Sequence, residues 1–259
     1  MITVLAVGDI CGESGLSFFE RKLSTLKKYC GADMVIANGE NIAPGGTGVT
    51  EDGIHRIFTA GADVITTGNH AFEVRGFENI YDNTKALLRP MNLGKGVPGC
   101  GMCIHDMGRC RVLVVNLVGR ALPGMASTNF FDTMDDIINV ADTPLIIVDF
   151  HAEFTAEKIA FARCFDGRVS LVFGTHTHVA TADETILPGG TAYITDIGMT
   201  GPTESVIGAR IDSAIRKQRF PVPARIIPAD GPCELSGVVA EIDEKTGKAR
   251  SIERMVVKD

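Results

Sequence analysis

The chain lacks the features that would place it in several large classes. No window approaches the roughly 20 apolar residues of a membrane span, so no membrane partner is expected. Basic residues are fewer than acidic ones, 25 against 32, for a net charge of −7. Neutralising a nucleic-acid backbone takes clustered Lys and Arg, so nucleic acid is not indicated as a partner. A phosphate group in a metal site stays open, because bound cations set the local field there. The opening Met1-Ile-Thr-Val-Leu-Ala-Val-Gly-Asp9 has neither a basic start nor a long apolar segment. It reads as a first strand rather than a signal peptide. The seven cysteines are odd in number and scattered. That pattern is no disulfide framework and fits a reducing compartment, so the cytoplasm is the expected location. Cys100-Gly-Met-Cys103 has the spacing of half a zinc knuckle, and Cys110 follows. No second pair supplies the four ligands of a closed zinc site. Repeats, low-complexity tracts and long linkers are also missing, and one domain over residues 1–259 is expected.

What is present suffices for a sizeable core. Of 259 residues, 45% are hydrophobic, and the 22% that are charged mix both signs, which excludes a disordered chain. Short apolar runs recur at Thr3–Val7, Met34–Ala37, Val64–Thr66, Val112–Leu117, Leu145–Val148, Val169–Phe173 and Ala192–Ile194. Their length and continuity fit strands buried on both faces. Helical patterns lie between them, at Ser14–Tyr29, Thr50–Ala60, Asp132–Val140, Thr155–Arg163 and Ser205–Lys217. The alternation predicts an α/β layered fold. Toward the C-terminus, Ala224–Pro228, Leu235–Ile242 and Ile252–Val257 alternate like antiparallel strands and suggest a second sheet.

Ligands of open α/β sheets bind beyond the carboxyl ends of the strands. There the sequence places Gly8-Asp9, Asn38-Gly-Glu-Asn41, Gly68-Asn-His70, Asp149-Phe-His-Ala-Glu153, Gly174-Thr-His-Thr-His178 and Asp196. Each alone has a plain explanation: Asp9 as a helix cap, Asn38 and Asn41 as turn residues, His151 as a core histidine. Together they would be several coincidences at one end of one fold. In an extended chain His176 and His178 would point to the same side, as two metal ligands must. Carboxylates, imidazoles and amides suit iron, manganese or zinc without a thiolate. There are more donors than one ion needs, and a carboxylate such as Glu40 can bridge two, an arrangement that clamps a phosphoryl group.

These blocks, with Asn116-Leu-Val-Gly-Arg120 and Thr195-Asp-Ile-Gly-Met-Thr-Gly201, resemble the calcineurin-like metallophosphoesterases, and within them the YmdB-like family. The resemblance runs over most of the chain. The wider superfamily begins with Asp-x-His, where this chain has Cys11, and carries Gly-Asp where Glu40 stands; the YmdB-like family shares both departures. The resemblance implies a four-layer α/β/β/α sandwich and two divalent or trivalent metal ions, iron or manganese first, with zinc also suitable. It implies Asp9, Glu40, Asn41 and His178 at one metal, and Glu40, Asn69, His151 and His176 at the other. It further implies hydrolysis of a small phosphodiester such as a 2′,3′-cyclic nucleotide, by attack of a metal-bridged hydroxide. His70 would be the general acid, since an imidazole has a reference pKa of about 6.5.

Arg120 fits either a substrate phosphate or a surface carboxylate, and Glu153 and Asp196 fit roles in orienting ligand histidines. Asn129-Phe-Phe131 suits a subunit contact in a homo-oligomer, a substrate lip or plain core. Two rival readings stand. A metal-dependent amidohydrolase barrel also uses His-x-His, but usually after its first strand, and the chain shows no eightfold β/α count. A regulatory protein that keeps the metal site to sense a nucleotide has the same ligand set, because ligands do not prove turnover.

Overall fold

Strand β1 (Ile2–Val7) divides two cores: Ile2, Val4 and Ala6 face one, and Leu5 and Val7 face the other. The period of two along a strand makes this division. After it come β2 (Asp9–Ile10), α1 (Gly12–Cys30), β3 (Met34–Asn38), α2 (Glu51–Ala60), β4 (Val64–Thr66), α3 (Phe77–Asn83) and β5 (Leu87–Leu88). The middle of the chain supplies β6 (Met102–Asp106), β7 (Arg111–Val118), α4 (Phe130–Val140), β8 (Ile146–His151), α5 (Thr155–Cys164), β9 (Leu171–Thr175), β10 (Thr185–Ile186) and β11 (Ala192–Ile194). The chain closes with β12 (Met199–Pro202), α6 (Ile211–Arg219), β13 (Cys233–Ile242) and β14 (Ala249–Lys258). This computed structural model describes residues 1–122, 128–221, 223 and 225–259.

One sheet has the order β2-β12-β13-β1-β3-β4-β5, with β14 added to β13; the other runs β10-β11-β9-β8-β7-β6. Helices α1 and α2 cover the outer face of the first sheet through Leu16, Phe19, Leu23, Ile54 and Ile57. Helices α4 and α5 cover the second through Phe130, Met134 and Phe161. Between the sheets lie Val4, Ile36, Val114, Ile147 and Phe173. The fold is therefore the expected α/β/β/α sandwich. Each such buried side chain contributes roughly 1.5–3 kcal/mol of transfer free energy. Helix α2 starts where its sequence says it should: Thr50 caps it, its side chain accepting the Gly53 N–H.

Several expectations need correction. The C-terminal strands do not build the second sheet. Strand β13 inserts between β12 and β1 of the first, pairing antiparallel from Ile2↔Ile242 to Val7↔Gly237. It sits there because Val238, Ala240 and Ile242 complete the core between the sheets. The second sheet is built from β6 to β11 instead. No strand forms at 225–228, where Pro228 makes one isolated bridge to Ala209; Ala224, the start of that expected strand, lies outside the described residues. Helix α6 begins at Ile211, because Ser205–Ala209 forms a turn in which Ser205 Oγ accepts the Gly208 N–H at 3.0 Å. Phe130 is core, packed on Phe150 at 4.8 Å between ring centroids.

Parallel strands β1, β3 and β4 of the first sheet and β7, β8 and β9 of the second set up the site. The candidate residues all follow or close such strands.

Candidate metal centre

Asp9 opens β2 directly beyond β1, and Glu40 and Asn41 follow β3. Asn69 and His70 follow β4, His151 is the last residue of β8, and His176 and His178 follow β9. The structure brings all eight together. Around His151 Nε2 lie Asn69 Oδ1 at 2.9 Å, His176 Nδ1 at 3.1 Å and Glu40 Oε1 at 3.2 Å. The donor atoms of Glu40, His151 and His176 all lie within 4.8 Å of one another. Beside them, His178 Nε2 is 3.8 Å from Asp9 Oδ1 and 3.3 Å from Asn41 Nδ2. Asn41 Nδ2 is in turn 3.4 Å from Glu40 Oε1. Glu40 thus sits between the two groups. For Asn41 to ligate, its amide must present Oδ1, an orientation that its surroundings decide.

The donor set fits a cation. Asp9 is fully buried, and its Oδ1 has no hydrogen-bond partner among the described residues. An unpaired buried carboxylate oxygen is costly, and an ion between Asp9 and His178 removes that cost. Burial pushes the Asp9 carboxyl upward. Burial would also raise Glu40, but His151 and the backbone N–H of His70 outweigh it and hold the carboxyl at about 2. Burial opposes the charged form of His151, yet the Glu40 and Asp9 carboxylates win and raise it. His176 is lowered to about 3 by burial and by His151 beside it. A histidine kept neutral presents a lone pair, as a metal ligand must.

Each of these three imidazoles is oriented through its other nitrogen. Thr175 Oγ1 donates to Asp149 Oδ1 at 2.6 Å, so it accepts from His151 Nδ1 at 2.9 Å. That leaves His151 Nε2 to face the site. Asp149 is fully buried, also accepts from the Thr66 hydroxyl and from Asn38 Nδ2 at 3.1 Å, and burial pushes it up to about 6. Glu153 Oε2 lies 2.9 Å from His176 Nε2, and the Ile207 carbonyl accepts from His178 Nδ1 at 2.9 Å. His70 Nδ1 contacts Glu73 Oε1 at 2.6 Å, so His70 stands beside the donor cluster rather than in it.

The two histidines of His176-Thr-His178 do not converge as an extended chain would make them. Both have left-handed backbones, φ 97° and 65°, in the irregular segment beyond the end of β9. The third such non-glycine residue among the described residues is Ile207, φ 48°, which binds His178. Such conformations cost of order 1–3 kcal/mol each and persist only where surrounding structure enforces them. Gly68 has a packing reason: a Cβ there would lie 2.2 Å from His151 Cδ2, so the ring rests on bare backbone.

Asn116 ties the sheets together, its Oδ1 accepting the Thr67 N–H at 3.2 Å while its Nδ2 donates to the Asp149 carbonyl. Arg120 is exposed; its backbone N–H donates to Glu157 Oε1, and its guanidinium makes no ion pair among the described residues. Asp196 does support the histidine loop, accepting the Thr177 N–H at 3.2 Å. Sequence reasoning missed Thr175, Thr66 and Glu73. Thr175 and Glu73 stand within or beside quoted motifs, but nothing in a hydroxyl or a lone carboxylate announces the partner it finds in three dimensions.

A sandwich of this form, with acids, amides and imidazoles gathered at the strand ends, has the metallophosphoesterase-type fold. A family model described as "YmdB-like protein" matches residues 5–255, and the chain belongs to that family. It is 40% identical over 257 residues to a 2′,3′-cyclic-nucleotide 2′-phosphodiesterase of Bacillus subtilis (strain 168), covering 99% of this chain and 97% of the relative. A crystal structure of a phosphatase from Mycoplasma pneumoniae superposes with a TM-score of 0.94 at 36% identity, covering 99% of this chain and 93% of that one. A protein from Thermus thermophilus gives 0.93 at 32% identity, with both chains fully covered. No helix among the described residues is long and apolar enough to cross a membrane.

Proposed function

We propose that this enzyme hydrolyses small phosphodiesters at a pair of metal ions, with 2′,3′-cyclic nucleotides as its substrate class. The observation that carries this reading is the convergence of three donor atoms on His151 Nε2 beside the orphaned oxygen of Asp9. The Bacillus relative, named for the 2′-phosphodiester bond of such nucleotides, supplies the substrate class. Glu40, Asn69, His151 and His176 would hold one ion; Asp9, Asn41 and His178, with Glu40 shared, would hold the other. Iron or manganese suits these oxygen and imidazole donors, and zinc is compatible. When bound, the ions supply Lewis acidity to the phosphate oxygens and a hydroxide nucleophile near neutral pH.

The chain's own residues do the rest. Glu73 holds His70 Nδ1, which leaves His70 Nε2 to donate a proton to the departing 2′-oxygen. Glu40 Oε2 accepts the His70 backbone N–H at 3.1 Å, fixing that histidine to the cluster. With seven free cysteines, the protein is proposed to work in the reducing cytoplasm.

The test separates metal binding from proton transfer. His70→Ala should keep its metal and lose about 10²–10⁴ in turnover. Glu40→Ala or His151→Ala should instead lower the metal content. Wild-type turnover in metal-loaded His70→Ala removes His70 from the role of acid, and full metal occupancy in the other two variants removes them as ligands.

A further inference from the structure

A buried charge pair outside the donor cluster holds its most strained loop. Lys158 and Asp196 are 1% and 0% exposed, and Lys158 Nζ lies 2.8 Å from Asp196 Oδ2. Lysine is almost never fully buried unless paired, and nothing in the proposed reaction uses this one. Lys158 Nζ also donates to the Thr175 carbonyl at 2.8 Å. Asp196 Oδ2 accepts the Thr177 N–H at 3.2 Å, and its Oδ1 accepts the Gly198 N–H at 2.9 Å. The pair therefore grips the residues on both sides of His176 without touching the imidazole.

The backbone between those grips is the part that needs holding. His176 and His178 both lie in the left-handed region. The Lys158 stem reaches the loop from α5 by passing beside Gly174, where a Cβ would lie 2.9 Å from Lys158 Cδ and 1.8 Å from the Thr195 carbonyl oxygen. Only glycine leaves room for both neighbours. Helix α5 follows β8 and its closing His151 by a few residues, so the pair also links the carrier of one ligand to the loop that bears two others.

Buried ion pairs seldom add stability over an apolar replacement of similar volume. A positional role explains this one better. We propose that Lys158 and Asp196 are positioning residues that clamp the His176–His178 loop in its left-handed form and so preset it to bind metal. This rests on the two-metal reading for its consequence, but the clamp itself can be observed without metal.

The test compares the full chain with Lys158→Met, which keeps the stem and removes the charge, and with Lys158→Met/Asp196→Asn, which leaves no buried charge unpaired. Amide hydrogen exchange is measured at Thr177 and Gly198 in chelator-treated protein, and Mn²⁺ affinity by calorimetric titration. The double variant should stay folded, exchange faster at Thr177 and Gly198 than at core strand amides, and bind Mn²⁺ about 10–100-fold more weakly, as loss of supporting shells does. Turnover should recover at saturating Mn²⁺. Unchanged exchange at both amides overturns the clamp. Faster exchange with wild-type Mn²⁺ affinity shows a clamp without the proposed consequence and overturns the positioning role. Absence of Mn²⁺ binding in the wild-type protein counts against the two-metal reading instead, and the exchange result still decides the clamp.

Discussion

Replacing Thr175 by valine keeps the shape of the side chain and removes one hydroxyl. That hydroxyl serves two buried partners at once: it donates to Asp149 Oδ1 at 2.6 Å and accepts from His151 Nδ1 at 2.9 Å. Asp149, Thr175 and His151 are all fully buried, so water does not replace what is lost. Each stranded group costs about 1–3 kcal/mol. Two of them put the loss for Thr175→Val at roughly 2–6 kcal/mol, a large part of the 5–15 kcal/mol typical of a domain. Asp149 keeps its Thr66 and Asn38 partners on Oδ2, which favours the lower end. The substitution also frees the imidazole to turn, so metal affinity should fall about 10–100-fold. Urea unfolding in chelator reads the first effect, and manganese titration of the folded protein reads the second. A valine variant with wild-type stability and wild-type metal affinity would refute the idea that Thr175 sets the tautomer and orientation of His151.

Two further expectations concern the same end of the fold. Asp149 rises from 3.8 to about 6 through burial, so its folded pKa lies above its unfolded one. Its contribution to stability is then complete below about pH 4 and is lost as the pH climbs through about 6. In metal-free protein, Asp149→Asn should flatten the stability profile across that window, and an unaltered slope counts against the buried carboxyl as its source. Gly68→Ala places a Cβ 2.2 Å from the His151 ring, which must move. It should cost about 1–3 kcal/mol by overpacking and reduce metal content, whereas full occupancy would mean that the ring has room to spare.

Much of this was legible before the fold was known. Short apolar runs announced the strands that carry the site, within a residue or three, because buried parallel strands have few alternatives to continuous apolar sequence. The position of each polar block just past such a run placed the blocks at one end of the fold, and the resemblance to the YmdB-like family singled out the eight candidates among them. Less legible was anything that depends on long-range pairing. Strand β13 reads as an ordinary alternating strand, and only the space between β12 and β1 draws it into the first sheet. The His176–His178 loop follows an apolar run, yet its left-handed backbone reflects contacts from Asp196 and Ile207, which are 19 and 29 residues from the groups they hold. Lys158 lies on a helix whose sequence gives no hint that one lysine points inward. Burial of a charge is settled by the partner it meets, and the local pattern carries no record of Asp196.

Hydrolysis of 2′,3′-cyclic AMP by manganese- or iron-loaded protein, against the same protein held in chelator, tests the two-metal phosphodiesterase most directly. Release of adenosine 3′-monophosphate that depends on metal, with two ions bound per chain, is the predicted result. Two ions bound without turnover of this or any other phosphodiester would contradict the proposed activity and leave a metal-dependent binding protein.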